Sequence, residues 1–581
     1  MAGRLSGRRN TGRSSPARNT TKKTKSPATR RETSRISRRD ADTILLNARI
    51  VTLDSQRPRA EALAIEHGYI VRIGTNQEVL SIAGSNTHVW DLHGAVVLPG
   101  FTDCHTHLVS YGIELFGANL RRSTSIAEIQ STLRKQAQKT HPGGWVLGYG
   151  WDQEKLTEHR YPNRLDLDAA VPDRPVCIFR ICGHICVANS VALKLANITR
   201  ATPPPGAGVI DHHGETGEPT GLLRENAMEL VMSHIPALVD RELRKAITLA
   251  MRKAVSAGLT SIHCIVDQPQ HVRVLQNMNR AGELRARIYI LIPDDWISRA
   301  GEIGLSTGFG DEMLRIQGVK IFTDGSLGAR TAALENPYSD APDTQGVQIH
   351  SQDELNSIVE SSSRNGFQVA IHAIGDRAIA MALTAIEKAR LAVPHSDKLR
   401  HRIEHASVLN PDLIKRIKRA RVIASVQPHF IPSDPWVPAR VGRERAKFVY
   451  ALKSLMKSGA TVVGGSDCPV EPIDPLEGIS AAVTPSAKGY GERVETRDAL
   501  EMFTKSAAYA THEENLKGTI HEGKMADLVV LDHDPLQVSP KEIRKIRVLA
   551  TVVGGRVAYA SKRFRAMKAS SGRYRLARRR S

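Results

Sequence analysis

Short apolar runs rich in Val, Ile and Leu recur along this chain, and what separates them changes from turn residues near the two ends to helix-length stretches in the middle. Residues 41–53 (ADTILLNARIVTL) and 61–74 (EALAIEHGYIVRIG) are β-rich runs punctuated by turn formers, as expected of twisted antiparallel hairpins. Residues 526–532 (ADLVVLD) and 546–558 (IRVLATVVGGRVA) have the same character, with Gly554 and Gly555 marking a turn. The two ends are therefore expected to pair as one small β-sandwich, built from residues 41–98 and 516–560. Between them, apolar runs at 260–265, 318–322, 368–371, 401–404, 422–426 and 461–464 alternate with helical segments. Strands spaced this way form βα units on a parallel sheet, and their number suggests a closed one. The expected fold is α/β, a (β/α)8 TIM-type barrel over residues 99–515. That span exceeds the roughly 250 residues of a typical barrel. An inserted domain is expected after the first barrel strand, at about 108–224, where Trp, Pro and Gly interrupt the alternation.

Composition narrows the class. A chain of 581 residues that is 41% hydrophobic can bury a large core. No stretch approaches the roughly 18 consecutive apolar residues of a membrane span, and no apolar leader segment is evident, so a soluble, cytoplasmic protein is expected. Six cysteines are too sparse for a disulfide framework and fit reduced thiols.

The formal charge of +21 changes meaning once it is located. Residues 1–40 hold 13 Arg or Lys against Glu32 and Asp40, for +11, and residues 562–580 hold nine more with no acid, for +9. The body between is nearly neutral and offers no broad basic face for a phosphate backbone. Both tails, 1–40 and 561–581, are poor in apolar residues and are expected to be disordered. Two readings stand for them: weak attraction to nucleic acid, anionic lipid or an acidic partner, or a solubilising extension without a target.

The candidate chemistry falls where the predicted strands end. In LPGFTDCHTHL, His105 and His107 are two apart, so in a strand both face the same side and can share one ion. His372 closes QVAIH, His405 closes HRIEH, and Asp467 follows TVVGGS. Each sits at the C-terminal end of an apolar run, the face on which barrel active sites form.

These strings, with GVKIFTDGSLGARTAAL, QVAIHAIGDRA, RIEHASVL and GGSDCPVEPIDPLEGI in that order, resemble the amidohydrolase superfamily and specifically its amidohydrolase family 3 branch. The resemblance spans about residues 41–560. It implies that His105, His107, His372, His405 and Asp467 are metal ligands. Lys320 falls where binuclear members carry a carboxylated lysine bridging two metals. A free ammonium has no lone pair to give, so only a carbamate or deprotonation makes it a ligand. The other reading is an unmodified lysine paired to Asp324 or Asp467. The implied activity is hydrolysis of a carbon–nitrogen bond other than a peptide bond, in an amide, formamide or cyclic amide, as in N-substituted formamide deformylase-like proteins. Water would be activated by one or two divalent ions, with Asp467 as general base and then acid. The ligand types suit zinc, with other divalent metals open.

Four further residues are candidates for the small-molecule substrate. His184, in CGHICVANSVAL, resembles a family motif and is either a pocket donor or structural. Trp151, in GWDQ, resembles a segment near the pocket, although aromatics more often belong to cores. Arg330 is a candidate for a substrate anion, and His429, in QPHF, for a weaker contact. Two other functions remain open at this point: an inactive binding or regulatory homologue, and a nucleic-acid-binding protein with the barrel as scaffold.

Overall fold

The computed structural model describes residues 41–206, 208–484 and 489–570. The expected basic tail at 1–40, and residues 571–581 of the other, lie outside the described residues.

The centre is an eight-stranded parallel sheet whose strands follow one another in chain order. They are β1 (Phe101–Thr106), β2 (Leu259–Ile265), β3 (Arg287–Pro293), β4 (Leu314–Phe322), β5 (Gln368–Ala373), β6 (Arg402–His405), β7 (Ile423–Val426) and β8 (Val462–Gly464). The chain just after β8 closes the barrel onto β1: Asp467 N–H donates to the His105 carbonyl (2.8 Å) and His107 N–H to the Cys468 carbonyl (2.7 Å). Gly465 makes this approach possible, because a Cβ there would lie 2.7 Å from the backbone nitrogen of His105. The helices supply the outer layer. Asp240–Ser256 buries Leu243, Ala246, Ile247, Ala250, Met251, Ala254 and Val255 at helical spacing, one apolar stripe packed on the barrel.

Between β1 and β2 the chain makes a separate six-stranded sheet, ordered Val209–His212, Pro219–Arg224, Ile185–Ala188, Val176–Arg180, Val146–Trp151 and Ala118–Asn119. Near the ends of the body, Val96–Pro99 lies between Arg49–Val51 on one side and Leu528–Leu531 on the other. Leu45, Ile65 and Trp90 from the four-stranded sheet before the barrel meet Val97, Leu528 and Val552 in one apolar core.

One expectation needs correction. Residues 562–570, read as part of a disordered tail, form a helix, Lys562–Ser570. Phe564 is 1% exposed and meets the Trp90 ring edge-on at 5.8 Å, while Lys568 lies over the same indole. Two apolar residues three apart give the helix an anchor that the surrounding positive charge obscures.

Candidate metal centre

The barrel interior below the strand ends is polar. Ser261, His263, Tyr289, Arg402 and Glu404 are each 1% exposed or less, where branched apolar layers are the common filling. Asp103 shows how such a group is held: it accepts from the Ser466 hydroxyl (2.5 Å) and from the backbone N–H groups of Ser466 (2.9 Å) and His105 (3.1 Å). Even so, burial pushes its carboxyl up to about 6.

On this base the strand ends bring six predicted residues together. Ligand atoms of His105, His405 and Asp467 all lie within 4.8 Å of one another. His107 Nε2 is 3.4 Å from Asp467 Oδ1, and Lys320 Nζ is 3.2 Å from His105 Nε2. The His372 ring lies 4.4 Å from that of His405, with its Nε2 donating to the Gly325 carbonyl (3.1 Å). His405 reaches the group because its backbone φ is +71°: Glu404 faces the barrel interior, and the left-handed turn breaks the alternation that would send the next side chain outward. Asp467, at φ +56°, is aimed in the same way.

The electrostatics suit metal ligands. Burial pushes His405 down to about 3 and His372 well below the usual histidine range, so both present neutral imidazole. Burial alone would raise Asp467, but His105 and His107 beside it outweigh that and hold the carboxyl well below its ordinary value. Lys320, 1% exposed, is pushed down to about 8, chiefly by burial. Imidazoles and an ionised carboxylate converging on one point are the donor set of a divalent metal.

The same residues line a cavity of about 550 Å3, walled further out by Tyr149, Phe179, Met232, Ile235 and Leu238. A smaller lobe of about 150 Å3 opens beside His184, His372, His405 and Asp467. His184 lines both lobes. Its Nδ1 is 2.9 Å from Glu225 Oε2; burial would lower its pKa, but this hydrogen bond and charge raise it to about 9, leaving an imidazolium whose other N–H is free to serve the cavity.

The other three candidates are placed elsewhere. Trp151 is fully buried in the core of the inserted sheet, its indole N–H donating to the Ile178 carbonyl (3.2 Å), and lines neither lobe. Arg330 makes an ion pair with Asp340 (3.0 Å) away from the lining of either lobe. His429 is buried against the Asp474 carbonyl (3.0 Å) and likewise lines neither lobe. Sequence reasoning missed Glu404 and Arg402. The alternation R-I-E in a buried strand is the signal for them, since two charges flanking one apolar residue must face one side together.

Comparison with known proteins agrees with this geometry. The model of the Amidohydrolase family matches residues 88–559. A Bacillus subtilis (strain 168) protein named as the amidohydrolase YtcJ is 34% identical over 525 residues, 88% of this chain and 98% of that one. The N-substituted formamide deformylase of Arthrobacter pascens is 27% identical over 537 residues, 89% of this chain and 98% of that one. The crystal structure of an uncharacterized metal-dependent hydrolase from Pyrococcus furiosus is 34% identical and superposes with a TM-score of 0.70, over 85% of this chain and all of that one. Identity of about a third, sustained over nearly the full length of such relatives, means that the chain belongs to the amidohydrolase family of metal-dependent hydrolases.

Proposed function

We propose that this enzyme hydrolyses a carbon–nitrogen bond other than a peptide bond in a small amide, formamide or cyclic amide. The observation that carries the proposal is the convergence of His105, His405 and Asp467, with His107, His372 and Lys320 beside them, at the base of a cavity open to a small molecule. The similarity to a formamide deformylase supports the same class of bond. Zinc is the expected metal, held by His105, His107, His372, His405 and Asp467, with Lys320 as a bridging carbamate if two ions bind. Formation of that carbamate requires the neutral amine, which the lowered pKa of Lys320 makes accessible. A divalent ion supplies Lewis acidity, polarising the substrate carbonyl and acidifying water towards a pKa of roughly 7.

The chain's own groups do the rest. Asp467, ionised and at the cavity wall, takes the proton from the attacking water and delivers it to the leaving nitrogen. His184, held by Glu225, donates its free N–H to the oxygen that gains charge as the carbonyl is attacked. The inserted sheet and the chain following it provide the apolar wall that excludes water from the bond being cleaved.

The test combines metal content per chain with hydrolysis of N-formyl, N-acyl and cyclic amide panels. His105→Ala should lose both metal and activity. Asp467→Asn should keep most metal and lose on the order of 100-fold or more in kcat. Lys320→Ala should lower the content by one ion if the carbamate bridges two. An Asp467→Asn enzyme of undiminished rate would remove the general-base assignment.

A further inference from the structure

Beneath the metal centre, one residue's chemistry dictates where the protons of two histidines sit. The guanidinium of Arg402 on β6 is an obligate donor, with five N–H groups and no lone pair. Its Nε donates to Glu404 Oε1 (2.7 Å), and its Nη2 donates to the Cys104 carbonyl (2.7 Å) and the Ser425 hydroxyl (3.2 Å). Its Nη1 lies 2.6 Å from His263 Nδ1. Arg402, Glu404, Ser425 and His263 are each 0% exposed, so water cannot substitute for any of these partners.

The consequences run outward from Arg402. Facing a donor, His263 Nδ1 must supply its lone pair, which puts the proton of the neutral ring on Nε2. Glu404, with Oε1 engaged by Arg402, turns Oε2 to within 2.5 Å of His105 Nδ1. An ionised carboxylate only accepts, so Nδ1 carries the hydrogen and Nε2 keeps its lone pair. That Nε2 is the atom facing Asp467 Oδ1 (3.3 Å) and Lys320 Nζ (3.2 Å). Arg402 also grips the carbonyl of the residue preceding His105, so backbone and ring are held from the same point.

The geometry points to Arg402 and Glu404 as a positioning pair that locks His105 in the Nδ1–H tautomer, the form able to ligate a metal through Nε2. The inference rests on the metal-centre reading above. Arg402 is needed because its Nε engages Oε1 and so leaves Oε2 as the oxygen that faces His105 Nδ1.

Glu404→Gln tests the pair while conserving shape. Because Arg402 Nε can only donate, the introduced glutamine must give it the amide oxygen and turn an N–H towards His105 Nδ1. That contact demands the opposite tautomer, with hydrogen on Nε2 and no lone pair for a metal. The full-length variant should bind Zn2+ roughly 10–100-fold more weakly, measured by competition with a chromophoric chelator. Nitrogen-15 spectra of the metal-free, histidine-labelled protein, with His105 assigned by His105→Gln, should show the hydrogen moved from Nδ1 to Nε2. A merely structural Glu404 would not move it. Wild-type affinity together with an unchanged tautomer overturns the inference. If circular dichroism shows that Glu404→Gln does not fold, Glu404→Asp takes its place: it keeps the charge but withdraws the carboxylate by one methylene. Weaker Zn2+ binding with Nδ1–H retained is then expected, and unchanged affinity overturns the pair. A wild-type protein that binds no divalent ion refutes the functional reading and the inference together, whereas a metal-binding wild type matched by Glu404→Gln refutes the positioning pair alone.

Discussion

His401 is a histidine whose burial serves packing alone, and it titrates accordingly. It is 0% exposed, its Nδ1 accepts from the Val369 N–H (3.1 Å), and its Nε2 lies 3.2 Å from the Ser363 hydroxyl. Burial pushes its pKa down to about 3. In the unfolded chain the ring takes up a proton as pH falls through its ordinary value of about 6.5, while in the folded protein it resists until about 3. Its contribution to stability is therefore complete above about pH 6.5 and is lost progressively below it, at up to roughly 1.4 kcal/mol per pH unit. Urea unfolding of wild type and His401→Gln at pH 6.5 and 4.5 should show the wild type losing stability more steeply over that interval. Parallel slopes would mean that His401 does not resist protonation. At this scale the candidate residues that the fold brings together were legible: His372, His405 and Asp467 each stand at the end of an apolar run, and His105 and His107 are two apart. Glu404 and Arg402 were not, since their partners His105 and His263 lie 299 and 139 residues away and only the closed barrel brings them together. Trp151, Arg330 and His429 have suitable side chains, but their types say nothing about placement: they are engaged by the Ile178 carbonyl, Asp340 and the Asp474 carbonyl, and none lines either lobe.

Among the elements, closure of the barrel between β8 and β1 constrains the site directly. A methyl group at Gly465 would stand 2.7 Å from the His105 nitrogen and 2.9 Å from its Cβ, so backbone must move. Gly465→Ala should push the end of β8 off β1 and stretch the bonds that carry Asp467 and His107. Metal per chain should fall while far-ultraviolet circular dichroism stays nearly unchanged; full metal content would show the strain relieved elsewhere. Five of the six barrel runs in the sequence show plainly as β2, β4, β5, β7 and β8, and the sixth, 401–404, as β6 shifted by one residue. Strand β3, RIYILIP, has the same apolar character and runs straight into Asp294 and Asp295, yet it is absent from the runs read from the sequence. Strand β1, FTDCHT, is too polar to announce itself by pattern, and only its histidine pair marked it. The helix Lys562–Ser570 was missed for a related reason: its charge outweighs Phe564 and Met567 in any average, although only those two need to be buried.

At the scale of the whole molecule, the barrel is bracketed by strands from far apart in the chain. Val96–Pro99 pairs in parallel with Arg49–Val51 and antiparallel with Leu528–Leu531, and Val97 faces Val530. Among the described residues no helix is long and apolar enough to cross a membrane. A chain cut before residue 526 removes Leu528–Leu531, Val548–Val553 and Arg556–Ala560 from the six-stranded sheet while leaving every barrel strand in place. The loss bares the unpaired side of Val96–Pro99 and the apolar face built on Val97, Ile50 and Ile65. Expressed beside the full-length protein, this truncation should partition to the insoluble fraction; soluble, monodisperse material would show that the barrel sustains the sheet alone.

The same pairing sets a timetable during synthesis. Val97 leaves the ribosome roughly 430 residues ahead of its partner Val530, an interval of about 20 to 90 s at ordinary elongation rates. Throughout it the nascent chain displays a half-built sheet whose free edge is a template for any passing strand. The candidate metal-binding pair His105 and His107 follows that edge within ten residues, so the strand that carries it is born next to an exposed sheet edge. Chaperone demand for this enzyme should therefore peak before the barrel is finished and end with the arrival of a single four-residue strand, Leu528–Leu531.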